Sequence, residues 1–298
     1  MSAKNLNKSP AEILSLLPKH AREKFLDNLS DDALRLLPYS WDFLARPTQK
    51  APPGDWRICL IMAGRGWGKT RCGAEWIREH VESGKARRIA LVGRTSADVR
   101  DVMAEGPSGL VAVASPGMKP TYEPSKRRLI WPNGAVATMF SADEPNLLRG
   151  PQFDLGWCDE LAAWKYTESF DQLMFGLRLG TDPRCIVTTT PRPVPVIREL
   201  MASKNVIITK GSTYENKSNL APQFFEEIVK RYEGTALGRQ ELYAEVIDEM
   251  PGALWSREVL ETCRPRFKPP EMVRTVVAVD PSVEGTRNET GIVVCAHG

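Results

Sequence analysis

The sequence predicts an α/β fold with a largely parallel central sheet flanked by helices, on three observations. Apolar runs of strand length recur at "RICLIMAG" (57–64), "RRIALVGRT" (87–95), "FDLGWCDE" (153–160), "CIVTTTP" (185–191) and "NVIITKG" (205–211). Stretches of helical period lie between them, and strands that alternate with helices pair in parallel through crossovers. The first run also leads through a glycine-rich turn into a helix that begins Lys69-Thr70, as in strand–loop–helix units that bind anions.

In chain order, residues 10–45 read as short amphipathic helices, since "SPAEILSLLP" and "SDDALRLLP" each start with serine, carry an acidic first turn and close on proline. The proline-rich "ARPTQKAPPGDW" (45–56) connects them to the first strand. The next helix spans 69–85 and ends near Gly84, and "SADVRDVMAEG" is a helix capped by its serine. "RRLIWPNGAVATMFSA" (127–142) reads as a hairpin turning at Pro132-Asn133-Gly134. Helices fill 163–178 and 194–203, and 219–248 is two polar-faced helices broken near Gly234. After a proline-rich linker, "RTVVAVDPSVEG" and "ETGIVVCAHG" supply two further strands. Two strands cannot bury a core alone, so they are expected to begin a domain that this sequence does not complete. The expected organisation is an N-terminal helical segment (1–45), a core (46–218), a helical lid or linker subdomain (219–250), a linker (251–272) and the start of a further domain (273–298).

Composition excludes several classes. With 298 residues, 42% hydrophobic and 26% charged, the chain has the make-up of a soluble globular protein. A net charge of +3 permits a local basic face without proving one. No apolar run approaches a membrane span, and the N-terminus lacks the apolar core of a signal peptide. Among the six cysteines there is no Cys-x-x-Cys pair; Cys59, Cys158, Cys185 and Cys295 fall in apolar strand-like runs, where reduced, buried thiols are expected. His20, His80 and His297 lie far apart, so no zinc site is visible.

The chemistry concentrates in "AGRGWGKT" (63–70). A phosphate loop is usually Gly, four residues, then Gly-Lys-Ser/Thr; Gly68, Lys69 and Thr70 supply its end, while Ala63 stands at the first glycine. Gly64 and Gly66 let the backbone turn tightly toward an anion. Lys69 would reach the outer phosphates of ATP, and Thr70 would offer its hydroxyl to Mg²⁺. The partner half is the strand-terminal pair Asp159-Glu160, one to hold Mg²⁺ and one to orient and deprotonate water. Asp154 enters the same strand and reads as structural. Arg65, inside the loop, can reach the terminal phosphate of its own site. Arg149, beside Gly150-Pro151, either projects into a neighbouring subunit's site or is a solvated surface arginine; the sequence leaves both open. Thr188, Thr189 and Thr190 end an apolar strand, where hydroxyls face the ligand crevice of such sheets.

These residues carry a resemblance. "WDFLARPTQKAPPGDWRICLIMAGRGWGKTRCGAEWIRE", "LLRGPQFDLGWCDELAAW", "VTTTPRP" and "NLAPQFFEEIVKRYEGTALGRQELYAEVIDEMPGALW" resemble the large terminase subunit of tailed double-stranded DNA bacteriophages. The resemblance runs from about Trp41 to Trp255 and implies a P-loop NTPase that packages DNA into a procapsid, followed by a nuclease of RNase H-like fold. It implies ATP and Mg²⁺ as ligands, and duplex DNA, a portal protein, a small terminase subunit and a pentameric ring as partners. It also implies residence in the bacterial host's cytoplasm, transiently at the portal, and absence from the mature virion. By it, Lys69 and Thr70 belong to the Walker A motif with Arg65 inside it, and Asp159 and Glu160 are the Walker B aspartate and catalytic glutamate. Arg149 falls at the trans-acting arginine finger of some members, Thr188 to Pro191 match the coupling motif, and Gln49 matches a glutamine near the adenine. Asp280 in "VVAVDPS" matches the first metal-binding aspartate of the nuclease. Its further carboxylates find no match, so DNA cleavage is not expected from these residues. Other readings are a P-loop DNA-dependent ATPase such as a helicase, or a non-translocating fragment that binds portal or small terminase.

Overall fold

A computed structural model of the chain describes residues 7–247, 262, 273–280 and 291–297. Strands β1 (Ile58–Ala63), β2 (Arg88–Gly93), β3 (Thr121–Glu123), β4 (Arg128–Ile130), β5 (Val136–Ser141), β6 (Leu155–Asp159), β7 (Arg184–Thr189) and β8 (Val206–Gly211) form one sheet. Their order is β3-β4-β5-β2-β6-β7-β1-β8. The pairings among β5, β2, β6, β7, β1 and β8 are all parallel. At one edge β4 pairs antiparallel with both β3 and β5, so that in this sheet β4 alone runs reversed.

The strands read as unbroken apolar runs because both faces of the sheet are covered. On β1, Cys59, Ile61 and Ala63 join one core with Trp76, Ile77 and Trp157. The alternate residues Ile58, Leu60 and Met62 join a second core with Phe170, Leu173 and Ile197. The helix Lys69–Glu82 packs across β6 and β7 on the first face. Helices Glu168–Gly176 and Pro195–Ala202 supply residues of the second core. Passing over β7 and β6 to reach β2, the chain leaves the C-terminal ends of β1, β6 and β7 side by side, and that edge holds the site.

Local chemistry accounts for most boundaries. The hairpin between β4 and β5 turns with Gly134 at φ 83°, and Asn133 accepts a hydrogen bond from the Ala135 N–H. The helix after β2 is capped by Thr95, not by the expected Ser96: Thr95 takes the extended backbone conformation of a cap and accepts from the Asp98 N–H. That helix runs as α only over Ser96–Asp98 and widens into a π turn over Val99–Ala104. The break near Gly234 falls between a helical stretch ending at Tyr232 and the helix Ala236–Tyr243.

Cys59, Cys72, Cys158 and Cys185 are free and buried, and burial pushes the Cys59 thiol up to about 12. Cys295 departs from expectation: it lies in a strand but is exposed. The contacts divide the chain into Met1–Asp248 and Glu249–Gly298. In the second unit, β9 (Arg274–Asp280) pairs antiparallel with β10 (Gly291–His297), setting Asp280 opposite Gly291. The Asp280 side chain and the linker expected at 251–272, Thr262 excepted, lie outside the described residues.

Candidate nucleotide site

The loop between β1 and the helix Lys69–Glu82 is shaped by its glycines. Gly68 has φ 108°, a left-handed conformation that a side chain disfavours, and it delivers Lys69 as the first helical residue. Gly64 is required by close approach, since a Cβ there would lie 2.6 Å from the Leu242 carbonyl. No side chain caps this helix, so its first-turn N–H groups remain open to an anion.

The loop is held from behind by residues remote in sequence. The buried Arg46 donates to the Trp67 carbonyl at 2.6 Å and to Asn216 at 2.8 Å, and stacks over the Trp67 ring. Trp67 is fully buried and donates its indole N–H to Glu215 at 2.9 Å. Asn216 donates to the Gly66 carbonyl at 2.6 Å and Thr213 to the Arg65 carbonyl at 2.7 Å. The Arg65 N–H donates to the Glu241 carbonyl at 2.8 Å. Three tethers from the segment after β8 and one from the helix Ala236–Tyr243 therefore fix the Arg65 and Gly66 carbonyls, the Trp67 indole and the Arg65 N–H.

Lys69 folds into the space under the loop. Its ammonium donates to the Ala63 carbonyl at 2.9 Å, the Gly64 carbonyl at 3.3 Å and the Thr190 hydroxyl at 3.0 Å, with Glu160 Oε1 at 3.6 Å. Glu160 follows β6 in a left-handed conformation, φ 51°. A non-glycine residue held there stores strain of about 1–3 kcal/mol. The surroundings that hold it include the Thr190 N–H, which donates to Glu160 Oε2 at 3.1 Å. Asp159, at the end of β6, accepts from the Thr188 hydroxyl at 2.6 Å, and that hydroxyl accepts from the Trp157 indole at 3.0 Å. Burial pushes the Asp159 carboxyl up from 3.8 to about 6; the Thr188 hydrogen bond opposes this, and the neighbouring Glu160 charge adds to it.

These groups surround a cavity of about 840 Å³ lined by Arg65, Lys69, Thr70, Asp159, Glu160 and Thr190, and by Gly66 and Gly68. Other expected site residues stand back from it. Gly64 packs against Leu242, and Thr188 and Thr189 are fully buried behind the lining. Gln49 is buried, accepting from the Arg46 N–H at 3.0 Å and donating to the Trp67 carbonyl at 3.3 Å, so it braces the loop outside the cavity lining. Arg149 is exposed on the segment before β6 and does not line the cavity. Within the loop, the Arg65 guanidinium turns to Glu241 at 2.7 Å.

The sequence did not single out Arg46, Thr213, Glu215, Asn216 or Glu241, which meet the loop only through the fold. It also passed over Arg71, Arg94 and Arg192, which line the cavity. Spacing held a signal for one of them: Arg192 stands two residues beyond the threonines of "VTTTPRP".

A parallel sheet with a glycine loop, helix N-terminus and carboxylate pair at its C-terminal edge defines an α/β protein of the P-loop NTPase kind. The profile of the terminase large subunit family, T4likevirus-type N-terminal part, matches residues 60–262. The chain belongs to that terminase large subunit family. Among solved structures, the large terminase ATPase domain of Thermus phage P74-26 is similar over 73% of this chain and 98% of that one, at TM-score 0.52 and 15% identity. The large terminase of a thermophilic bacteriophage, solved in complex with ADP, is similar over 89% of this chain, at TM-score 0.55 and 17% identity. The chain covers 64% of the length of that ADP-bound terminase. No curated protein matches the chain in sequence.

Proposed function

We propose that this chain binds ATP with Mg²⁺ in the cavity and hydrolyses it, as the ATPase part of a motor that drives double-stranded DNA into a viral procapsid. The observation that carries the reading is the bonded cluster of Lys69, Thr190 and Glu160 at the adjoining ends of β1, β6 and β7. A cation for phosphate, a base for water and a link between them meet in one cavity. The ADP complex of the thermophilic phage terminase supports the choice of nucleotide.

In this reading the loop and the open first turn of the helix cradle the phosphates, and Lys69 leaves the Ala63 and Gly64 carbonyls for the outer phosphates. Thr70 and Asp159 would hold Mg²⁺. The donor set fits, because both offer hard oxygen, both line the cavity, and one Asp159 oxygen is already oriented by Thr188. Bound there, the ion would offset negative charge on the phosphates. Glu160 accepts a proton from the attacking water as the water's oxygen bonds the terminal phosphorus and the bond to the ADP oxygen breaks. Thr190 bonds both Lys69 and Glu160, Thr189 accepts from the Ala162 N–H, and Thr188 holds Asp159. A change at the phosphate is thereby felt along the end of β7, the coupling role assigned to these threonines.

Arg65 is assigned to the terminal phosphate in its own site and Arg149 to a neighbouring subunit's site. Gln49 near the adenine has less support, since its amide braces the loop. Residues 46–218 are taken as the ATPase core and 219–250 as its lid or linker. Strands β9 and β10 are read as the opening of an RNase H-like nuclease, with Asp280 its first metal-binding carboxylate. Portal, small terminase and a pentameric ring are the proposed partners. The test is ATP turnover by purified protein, with and without duplex DNA and with Mg²⁺ or a chelator. Mg²⁺-dependent turnover stimulated by DNA is expected; turnover indifferent to DNA would overturn the motor reading.

A further inference from the structure

The cations lining the cavity differ in one respect. Arg65 is paired with Glu241 at 2.7 Å, Lys69 with Glu160 at 3.6 Å, Arg71 with Glu75 at 2.6 Å and Arg94 with Asp98 at 3.1 Å. Arg192 lines the same cavity, and among the described residues its guanidinium has no carboxylate, hydrogen-bond or ring partner. Four cations are neutralised within the protein; the fifth is left for something that enters.

Position reinforces the point. Arg192 stands two residues beyond Thr190, whose hydroxyl accepts from Lys69 at 3.0 Å and whose N–H donates to Glu160 at 3.1 Å. Pro191 precedes it and Pro193 follows it. A residue before proline is held in extended backbone, and a proline has a fixed φ. The side chain therefore projects from a stiffened segment at the end of a central strand. A guanidinium offers several N–H donors in a plane that suits two phosphate oxygens at once.

We propose that Arg192 contacts the terminal phosphate of the nucleotide from within its own subunit, holding that group in the triphosphate and in the transition state. The proposal rests on the nucleotide reading of the cavity and adds to it a residue on the β7 side, opposite in sequence to the loop arginine. It also gives the threonine run a direct handle, since loss of the phosphate releases Arg192, which shares its short segment with Thr190.

The experiment compares wild type, Arg192→Ala and Arg192→Lys in binding of ADP and of a non-hydrolysable ATP analogue, with Mg²⁺, and in turnover. Because the Arg192 side chain is exposed and bonded to nothing described, the variants should melt with wild type, and melting curves check it. For Arg192→Ala, ADP affinity should stay within about twofold, while the triphosphate analogue should bind about tenfold more weakly. Turnover should fall on the order of 100-fold, and lysine should restore part of the triphosphate preference. Equal loss for both nucleotides, or no loss for either, would overturn the proposal. Turnover regained on mixing Arg192→Ala with Lys69→Ala subunits would overturn its action within one subunit. Wild-type protein that binds neither nucleotide would remove the nucleotide reading itself, and this inference with it.

Discussion

The two sides of the cavity are built differently. On the sheet side, Trp157, Thr188 and Asp159 form a chain of hydrogen bonds in which Trp157 and Thr188 are fully buried and only Asp159 reaches the cavity. On the other side, the helix Ala236–Tyr243 meets the loop through one backbone hydrogen bond, from the Arg65 N–H to the Glu241 carbonyl, and through the Arg65–Glu241 side-chain pair, in which Arg65 is 67% and Glu241 15% exposed. Hydrogen bonds strengthen in low dielectric and are expensive to break there, while exposed ion pairs are weak. The sheet side is thus built to hold its geometry and the helix side to let go. The proposed motor, which would keep its catalytic groups in place while passing movement outward, needs both.

Four substitutions or conditions probe that contrast. Lys69→Ala should have the largest effect. It removes the cation under the loop, and turnover should fall to background in a phosphate-release assay while the sheet remains folded by circular dichroism. Thr188→Val comes next. The side chain keeps its shape, but the Trp157 indole and an Asp159 oxygen both lose their partner in a buried setting, a cost of about 3 kcal/mol in denaturant unfolding.

The third concerns pH. The Asp159 carboxyl titrates higher in the folded chain than its ordinary 3.8, at about 6. The folded state therefore holds the proton more tightly than the unfolded one, and the group's contribution to stability is full below 3.8 and lost as pH rises toward about 6. Without nucleotide or metal, Asp159→Asn should remove that loss, on the order of 2–3 kcal/mol, from the pH dependence of unfolding. An unchanged pH profile would mean that Asp159 is better solvated than its burial indicates. Glu241→Gln should have the smallest effect. The pair, with its Arg65 end in solvent, contributes about 0.5 kcal/mol, so a destabilisation above about 2 kcal/mol would place the helix side on the same footing as the sheet side.

The same division explains what could be read from the chain. The sheet side was legible because strand, loop and carboxylate pair are each local: "RICLIMAG", "GKT" and "WCDE" carry their meaning within a few residues. The helix side was not. Thr213, Asn216 and Glu241 reach the loop across 148, 150 and 176 residues of chain, and no periodicity encodes such a meeting. Gln49 can be matched to an adenine position from the sequence, whereas its bracing bonds to Trp67 and Arg46 are legible only in the fold. Strand β3, with three residues and no buried side chain, lacks the alternation that would reveal it. Thr95 and Ser96 can both cap a helix, and only the backbone angles chose between them.

The central claim is that Glu160, held in its strained conformation against Thr190, takes the proton from water attacking a nucleotide gripped by Lys69. It is tested most directly by ATP binding and hydrolysis measured on the same preparation of Glu160→Gln. The amide keeps the shape and the bond from the Thr190 N–H but is no longer a base. ATP should bind with wild-type affinity, and hydrolysis should fall by about three orders of magnitude. Near-normal hydrolysis by that variant would contradict the account.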